Sequence, residues 1–469
     1  MEQYEKLRQQ YPHFFYRGYE IEETGDQLKA TYHFEIEGLS EFAPQWTFRR
    51  PEAAEAADGL MEQMIFSLGM VELVSYWKIT CSPLVTVEAG ALDQDQIRWW
   101  KDLYFNGLGE FFYVNHIQEA DPENFMEIIC RPSGPIPPQA PAPFPVDSNL
   151  AHGVLVPIGG GKDSVVTLEL LRSAGIPITG YIINPRGATI HTAETAGLDE
   201  AHVMSVKRTL DKNMLELNRQ GYLNGHTPFS ALVAFSSLIA AKLLGLHYVA
   251  LSNESSANES TVSGSTVNHQ YSKSFKFEED FHRYAGTYLK GSAYYFSMLR
   301  PLSEFQIAAY FAKQKKYHGI FRSCNAGSKT DSWCGHCPKC LFVYLILSPF
   351  LSQDEVRDIF GTDMLEDMGM AETLNQLVGI REEKPFECVG SRDEINTAIM
   401  MAIDRLEEQG KPLPALFAYY RGTGLYQAAK AMGDRYSSYY DSENLLPEPL
   451  ARLVKENCAE GVPPSRVGQ

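Results

Sequence analysis

The stretch that decides the fold is Val154-Leu155-Val156-Pro157-Ile158-Gly159-Gly160-Gly161-Lys162-Asp163-Ser164-Val165-Val166-Thr167-Leu168-Glu169-Leu170-Leu171. A short apolar run leads through three glycines into a segment with helical spacing, which predicts strand, turn and helix. Glycines let a backbone approach an anion closely, and the free amides and dipole of a helix start favour negative charge. The stretch therefore predicts a phosphate-binding loop, the alternative being a turn that only permits close packing.

The loop departs from two common nucleotide motifs. It is not a Walker A loop, because Lys162 is followed by Asp163 where Ser or Thr should hold magnesium, and it is not G-x-G-x-x-G. It resembles the SGGxDS loop of the PP-loop ATP pyrophosphatases, which split ATP into AMP and pyrophosphate while adenylating a substrate. That resemblance implies ATP, Mg²⁺, a catalytic Asp163, and contacts to the released pyrophosphate from Gly160, Gly161, Asp163 and Ser164. We include Gly159 and Lys162 of the same loop in the predicted ATP-binding set. Gly159 stands where this superfamily usually has serine.

Apolar runs and helical segments alternate after the loop, which is typical of a parallel α/β sheet. The runs are Val154 to Ile158, Ile178 to Ile183 and Tyr248 to Leu251. Ligands of such sheets bind at the carboxyl ends of the strands. Asn184 follows the second run, where related enzymes read adenine with backbone groups; a turn former is the alternative. Asn253 and Glu254 follow the third and suit magnesium or substrate, unless they belong to a solvated loop.

The predicted fold class is α/β, a PP-loop core flanked by two further regions. Alternation from Leu28 to Ile36 after Thr24-Gly25-Asp26 predicts a β-hairpin, and proline occupies half of the positions from Pro132 to Pro145. We therefore divide the chain into an α+β N-terminal domain, a Pro-rich linker, an ATP-binding domain that includes a cysteine cluster, and a mostly helical C-terminal region. Their respective bounds are 1–131, 132–147, 148–351 and 352–469.

Four of the eight cysteines crowd into seventeen residues: Cys324, Cys334, Cys337 and Cys340. Two-residue gaps let successive thiolates converge on one tetrahedral ion, and a cysteine from the preceding loop closes the site. The cluster predicts a structural metal, with zinc favoured over an iron–sulfur cluster, which thiolates also hold. Some PP-loop enzymes carry a similar arrangement.

Charge and composition narrow the class of protein. The 469 residues hold 41 Lys and Arg against 59 Asp and Glu, a net charge of −18, which argues against a nucleic-acid partner. Met1 to Tyr11 has no apolar segment that would suit a secretory signal, so we expect a cytoplasmic location. Leu60 to Trp77 contains Glu62 and Glu72, which predicts an amphipathic core helix and no membrane partner.

Nearly the whole chain is similar to the MurL family, the UDP-N-acetylmuramoyl-L-alanyl-L-glutamate epimerases of bacterial peptidoglycan synthesis. The stretches that carry the likeness are Gly159 to Ser164, Asn224 to Pro228, Ser252 to Glu254, Val267 to Ser272 and Lys384 to Gly390. The resemblance implies an isomerase that adenylates the terminal glutamate carboxylate of a UDP-muramoyl dipeptide and inverts its α-carbon. AMP and pyrophosphate would be released, and the α-carbon would need a base.

The identity of that base stays open at this stage. Cys388 is a candidate if its pKa is lowered, and His269 is another, although a buried thiol and a structural histidine are common alternatives. We expect substrate contacts from His226, Asn253, Glu254, Lys273 and Arg300. The aromatic run Tyr104 to Tyr113 is interpreted as hydrophobic core with a glycine turn.

Two other functions remain compatible with the sequence. One is another PP-loop ligase or amidotransferase that activates the carboxylate of a small acidic substrate and leaves the stereocentre unchanged. The second is a regulator that binds ATP without turnover, which the glycine at position 159 would permit.

Overall fold

We describe the fold from a computed structural model, which covers residues 3–118, 120–131, 140–146, 150–262, 264 and 267–459. Most of the predicted Pro-rich linker, residues 132–139 and 147, lies outside this range. Within it, Phe144 packs against His282, with ring centroids 4.2 Å apart.

Eleven strands form one mixed sheet in the described part of the chain. Their bounds are β1 His13–Glu23, β2 Gln27–Ile36, β3 Ser40–Phe42, β4 Gln45–Arg49, β5 Leu84–Val87, β6 Glu127–Cys130, β7 Val154–Pro157, β8 Ile178–Ile183, β9 Val203–Thr209, β10 Tyr248–Leu251 and β11 Tyr294–Ser297. The order across the sheet is β11-β10-β7-β8-β9-β4-β2-β1-β5-β6, with β3 paired to β2. The predicted hairpin and the three predicted parallel strands are present.

The sheet contains two parallel blocks that run in opposite directions. Strands β7 to β11 form one parallel block, and β1, β5 and β6 form the other. Three antiparallel pairs, β4–β9, β2–β4 and β1–β2, join the two blocks. In the first of these pairs, Phe48 of β4 lies opposite Val206 of β9. The N-terminal strands and the strand of the glycine loop therefore share one sheet, and the division into domains at 131 and 148 stays a prediction.

The helices cover the sheet and build the C-terminal region. Their bounds are α1 Gln3–Gln10, α2 Gly59–Trp77, α3 Gln94–Gly107, α4 Gly109–Val114, α5 Lys162–Ser173, α6 Gly187–Thr195, α7 Lys212–Arg219, α8 Phe229–Leu244, α9 Phe275–Tyr288, α10 Glu304–Ala312, α11 Pro338–Leu347, α12 Gln353–Phe360, α13 Ala371–Val378, α14 Arg392–Glu408, α15 Ala415–Gly422, α16 Leu425–Met432 and α17 Glu448–Val454. Beyond Ser352 the described chain is mostly helical, as the sequence predicts.

Helix α2 differs from its prediction as an amphipathic helix. It packs against α8 and the β1–β2 hairpin, and it is buried on nearly every side from Met61 to Trp77. Its carboxylate at Glu72 is fully buried and bonds to Arg208 at 2.7 Å and to the Trp46 indole at 3.0 Å. The charge that suggested a solvent-facing side is thus neutralised inside the protein.

Two features define helix boundaries in the second half of the chain. Ser303 and Gln306 form a capping box at the start of α10. Gly424 has φ +85° and separates α15 from α16. In the described part of the chain, no helix combines the length and apolarity that crossing a bilayer requires.

Candidate active site

The glycine loop joins β7 to α5 at the carboxyl end of the strand. Gly160 has φ +80°, and a Cβ there would lie 2.9 Å from the Cβ of Ala188, so only glycine fits without displacement. The Gly160 carbonyl accepts a hydrogen bond of 2.7 Å from the amide of Arg322, which braces the loop. Gly161 is the N-cap of α5 and provides no side-chain cap. The first-turn amides of α5 therefore have no acceptor within the helix and suit an anion.

Gly159 is sterically free, in contrast to Gly160. A Cβ at Gly159 would have no heavy atom within 4 Å other than its chain neighbours. The hydroxyl that related loops place here is absent, yet the chain has room for it. Ser164 already bonds through its hydroxyl to the Gly161 carbonyl at 3.0 Å, so this side chain stabilises the loop itself.

Three carboxylates converge beside the loop. Oxygen atoms of Asp163, Glu254 and Glu304 lie within 4.8 Å of one another, and the ammonium of Lys162 contacts both Asp163 and Glu304. Glu254 follows β10 and Glu304 begins α10. Hard cations such as Mg²⁺ take oxygen ligands of this type, so the donor set fits that ion.

Burial sets the protonation of this cluster. Burial raises the pKa of Glu304 to about 7; Lys162 counteracts it, whereas Asp163 and Glu254 add to it. Burial would also raise the pKa of Asp163, but the positive charges of Lys162, Lys339 and Lys273 lower it. The carboxyl of Asp163 is therefore charged at neutral pH, while Glu304 titrates near it.

A thiol shares two neighbouring lysines, Lys273 and Lys339, with the carboxylate cluster. The Cys388 sulfur is 3.2 Å from the Lys273 ammonium, and the Lys339 ammonium donates to the Cys388 carbonyl oxygen. Burial alone would raise the pKa of Cys388, but Lys273, a hydrogen bond to His269 and Lys339 outweigh it and lower the pKa well below its usual range. These neighbours thus favour the thiolate form of the side chain, which is a nucleophile and a carbon base.

An imidazole and a carboxylate continue from the thiol. His269 Nδ1 is hydrogen-bonded to Glu110 Oε2, and His226 Nδ1 lies 3.6 Å from the same oxygen. Burial would lower the pKa of His269, yet its bonds to Cys388 and Glu110 raise it to about 9. Burial and then the charge of His269 lower the pKa of His226 to about 4. One imidazole is therefore charged and its neighbour is neutral.

The lysines connect the two groups into one site. Lys273 and Lys339 both lower the pKa of Asp163 in the loop and of Cys388 in the thiol group. Lys273 follows the loop that carries His269, and Lys339 begins α11. The structure thus brings together the predicted Asp163, Glu254, Lys273, His269, His226 and Cys388, whose individual roles remain predictions.

Three other predicted residues are engaged in structural contacts. Arg300 is fully buried, pairs with Glu278 at 2.9 Å, and donates to the carbonyls of Glu254 and Lys273, which favours a positioning role over a substrate contact. Asn253 is buried and bonds to the Ser297 hydroxyl at 3.0 Å. The Asn184 side chain is hydrogen-bonded to the backbone of Arg208, and the adenine contact of its own backbone stays a prediction.

The four clustered cysteines form a second candidate site, with all sulfurs within 4.8 Å of one another. Three sulfur pairs are 3.5 Å (Cys337–Cys340), 3.6 Å (Cys334–Cys340) and 3.8 Å (Cys324–Cys337) apart. A tetrahedral zinc with Zn–S bonds of about 2.3 Å places its sulfurs roughly 3.8 Å apart. An iron–sulfur cluster holds its thiolates further apart, because iron and sulfide ions lie between them. The spacing therefore fits a single zinc ion.

Sequence reasoning missed Glu110, Glu304 and Lys339. Glu110 lies in the aromatic run that was interpreted as core; Tyr104, Phe111 and Phe112 are indeed buried, and the predicted glycine turn separates α3 from α4 at Leu108. The sequence did offer one signal for Glu110, which is a single charged residue within an aromatic run. Lys339 lies between two predicted metal ligands, and Glu304 lies inside the capping box of α10.

The fold and the site define an α/β protein whose candidate active site combines a helix-start anion loop, buried carboxylates and a low-pKa thiol, with a separate four-thiolate cluster. The MurL N-terminal domain family matches residues 5–298, and the MurL C-terminal domain family matches residues 320–421. The chain belongs to the MurL family.

Curated relatives agree with this assignment. A protein of Xanthomonas oryzae pv. oryzae is 36% identical over 355 residues, which cover 74% of this chain and 76% of the relative. Proteins of Micromonospora sp. (32% identical; 77% and 79% covered) and Salinispora tropica (34% identical; 71% and 72% covered) are similar as well. All three are named UDP-N-acetyl-alpha-D-muramoyl-L-alanyl-L-glutamate epimerase. No solved structure matches the chain significantly.

Proposed function

We propose that this protein is an ATP-dependent epimerase that inverts the α-carbon of the terminal glutamate in UDP-N-acetylmuramoyl-L-alanyl-L-glutamate. Membership of the MurL family and the names of three relatives support the substrate and the reaction. The single observation that carries the mechanism is the Cys388 thiol, held between Lys273 and His269 beside the carboxylates of the glycine loop. We place the reaction in the cytoplasm, where free thiols persist.

The need for ATP follows from the charge of the substrate. Removing the α-proton beside an ionised carboxylate would place a second negative charge next to the first. Adenylation of that carboxylate removes the charge and lets the carbanion delocalise as an enolate. We propose that the chain is a PP-loop enzyme, that ATP loses pyrophosphate as the glutamyl oxygen attacks its α-phosphorus, and that water later releases AMP and restores the carboxylate.

The glycine loop would hold the phosphates of ATP. The first-turn amides of α5 donate to phosphate oxygens, and Lys162 lies beside them. Asp163, Glu254 and Glu304 would hold Mg²⁺, which neutralises phosphate charge when it is bound. Asp163 suits this role best, because it is the carboxyl of the cluster with a lowered pKa.

The thiol and the imidazole would handle the α-proton. The Cys388 thiolate takes the proton from one face of the α-carbon, the His269 imidazolium that is hydrogen-bonded to it keeps the sulfur charged, and a proton derived from solvent reaches the opposite face. Lys273 and Lys339 keep positive charge near the enolate oxygen as it develops. After each inversion the Cys388 thiol loses the proton that it has taken, which restores the thiolate and the neighbouring imidazolium of His269.

The test uses ATP, Mg²⁺ and the UDP-muramoyl dipeptide in deuterated water. We expect AMP and D-glutamate that carries α-deuterium. AMP without inversion would instead indicate a ligase or amidotransferase. If neither AMP nor D-glutamate forms, the protein would be a regulator that binds ATP without turnover.

Two variants separate the halves of the mechanism. Asp163→Asn should abolish AMP release and deuterium uptake together, whereas Cys388→Ser should retain AMP release and lose deuterium uptake. The matched control is Asp354→Asn on the exposed surface of α12, which should behave as wild type. Normal deuterium uptake by Cys388→Ser would exclude this thiol as the base.

A further inference from the structure

Glu110 bridges two histidines with one oxygen atom. Its Oε2 accepts the hydrogen bond of His269 Nδ1 and lies 3.6 Å from His226 Nδ1. The two rings are close, with centroids 4.5 Å apart, and the side chain of Glu110 is 15% exposed. A largely buried carboxylate in this place favours one protonated imidazole and disfavours two, because like charges at this distance repel.

The helix that carries Glu110 also contacts the segment that carries the thiol. Tyr113, one turn further along α4, donates a hydrogen bond of 2.6 Å to Glu383, and its ring lies 5.3 Å from that of Phe386. Phe386 precedes Cys388 by two residues. Helix α4 thus docks on the thiol segment and presents Glu110 to His269 from the same face, so the N-terminal region completes the candidate site.

We infer that Glu110 is a positioning residue, which holds the His269 ring by Nδ1, directs its second nitrogen to Cys388, and stabilises the positive charge of the ring. This inference rests on the proposed function and assigns a role to the N-terminal region within it. A metal ion on Glu110, His226 and His269 is not required to explain their proximity, since the hydrogen bond from His269 already accounts for it.

All charged neighbours of His269 enter the expected pH dependence. They are Glu110 on α4, Cys388 and Glu387 on the 383–390 segment, and His226 before α8; the charges of Lys78 and Lys273 act on His226. The pKa of His269 is about 9, so the imidazolium is lost as the pH rises through that value. Removing the negative charge of Glu110 lowers this pKa and moves the basic limb of activity to lower pH.

The experiment compares Glu110→Gln, Glu110→Asp and a control, Glu88→Gln. Glu88 also belongs to the N-terminal region and accepts a charged hydrogen bond, from Arg17 at 3.0 Å. It follows β5, which ends at the opposite edge of the sheet from β7. Circular dichroism and thermal unfolding identify any variant that fails to fold.

For Glu110→Gln we expect kcat for α-deuterium uptake to fall by roughly 100-fold at pH 8, with KM unchanged. The basic limb of the pH profile of kcat should move to lower pH by about one unit or more. Glu110→Asp should recover part of the activity and return the limb toward wild type, and Glu88→Gln should match wild type. A folded Glu110→Gln with an unchanged basic limb would overturn the inference.

A second measurement does not depend on turnover. The His269 ring is titrated by NMR in histidine-labelled protein, with its signal assigned by its loss in His269→Asn. In Glu110→Gln the titration midpoint should fall, while in Glu88→Gln it should not. An unchanged midpoint overturns the role of Glu110 even if the enzyme is active, and a lowered midpoint supports it even if the proposed substrate fails.

Discussion

The ammonium nitrogen of Lys273 lies 3.2 Å from the sulfur of Cys388, and the same lysine lowers the pKa of Asp163 in the glycine loop. One cation therefore stabilises negative charge in both halves of the site. Arg300 holds the Lys273 carbonyl from the buried side, and Glu278 holds Arg300, so the position of this lysine is set by the core. The geometry links the glycine loop to the thiol through one cation.

Replacing Lys273 with methionine should raise the pKa of Cys388. Methionine keeps the length of the side chain and removes the charge that opposes burial of the thiolate. We expect alkylation of Cys388 by iodoacetamide at pH 7 to slow by roughly tenfold or more, since each pKa unit is a factor of ten in thiolate. Mass spectrometry of the Cys388 peptide across a pH series gives the measurement.

The control for that change is Lys276→Met. Lys276 lies three residues away and pairs with Asp102 at 3.0 Å on the surface. Its loss should leave the alkylation profile as in wild type. If Lys273→Met alkylates at the wild-type rate, the lysine does not stabilise the thiolate.

The two neighbouring glycines of the loop should respond differently to substitution. Gly160→Ala forces a side chain into a left-handed conformation and against Ala188, which should cost about 1–3 kcal/mol and weaken ATP binding. Gly159→Ser enters open space and should leave stability unchanged, with ATP binding equal or tighter because a hydroxyl is added. Urea unfolding and calorimetric titration with ATP test both; equal behaviour of the two variants would contradict the loop geometry.

The four-cysteine cluster should contain one zinc ion per chain. Cys337→Ser should lose the metal and lower the melting temperature, because Cys337 is also the N-cap of α11. Loss of zinc should reduce activity as well, since Lys339 between two ligands contacts Cys388. Metal analysis and thermal unfolding provide the data, with Cys130→Ser as the control that keeps zinc. Bound iron with sulfide would reject the zinc assignment.

Stability should fall with rising pH because of Glu394. Burial and then the charge of Glu304 raise its pKa from 4.5 to about 7 in the folded chain. The folded state then holds a proton that the unfolded state releases, so the stabilisation is complete below pH 4.5 and is lost as the pH rises through about 7. Glu394→Gln should therefore show a flatter decline in free energy of unfolding between pH 5 and 8.

The matched control for that prediction is Glu408→Gln at the exposed end of α14. Glu394→Gln also loses one acceptor, because both carboxylate oxygens of Glu394 accept backbone hydrogen bonds, from Glu304 and Ser391. The lost hydrogen bond lowers the free energy of unfolding by a similar amount at every pH. Only the slope of that free energy against pH therefore reports the titration of Glu394. A slope equal to that of Glu408→Gln would show that Glu394 does not titrate in this window.

Contiguous patterns predicted much of the fold. The loop from Gly159 to Ser164, the strands β8 and β10 and the hairpin depend on local glycine content, apolar periodicity and turn residues, which are all visible along the chain. The same holds for the cysteine cluster, whose short spacing almost forces its sulfurs together. Buried charges escaped prediction, as Glu72 in α2 shows, because their partners come from remote segments.

The amino-acid order alone indicated the glycine loop, the four possible metal ligands and the family resemblance, because each depends on residues that are near neighbours in the chain. Only the packed structure joined Glu110, His269 and Cys388, since Glu110 and His269 are 159 positions apart and meet through the docking of α4 on the thiol segment. Protonation was decided there too. Burial and nearby charge set the pKa values of thiol and imidazole, and both are properties of the assembled site.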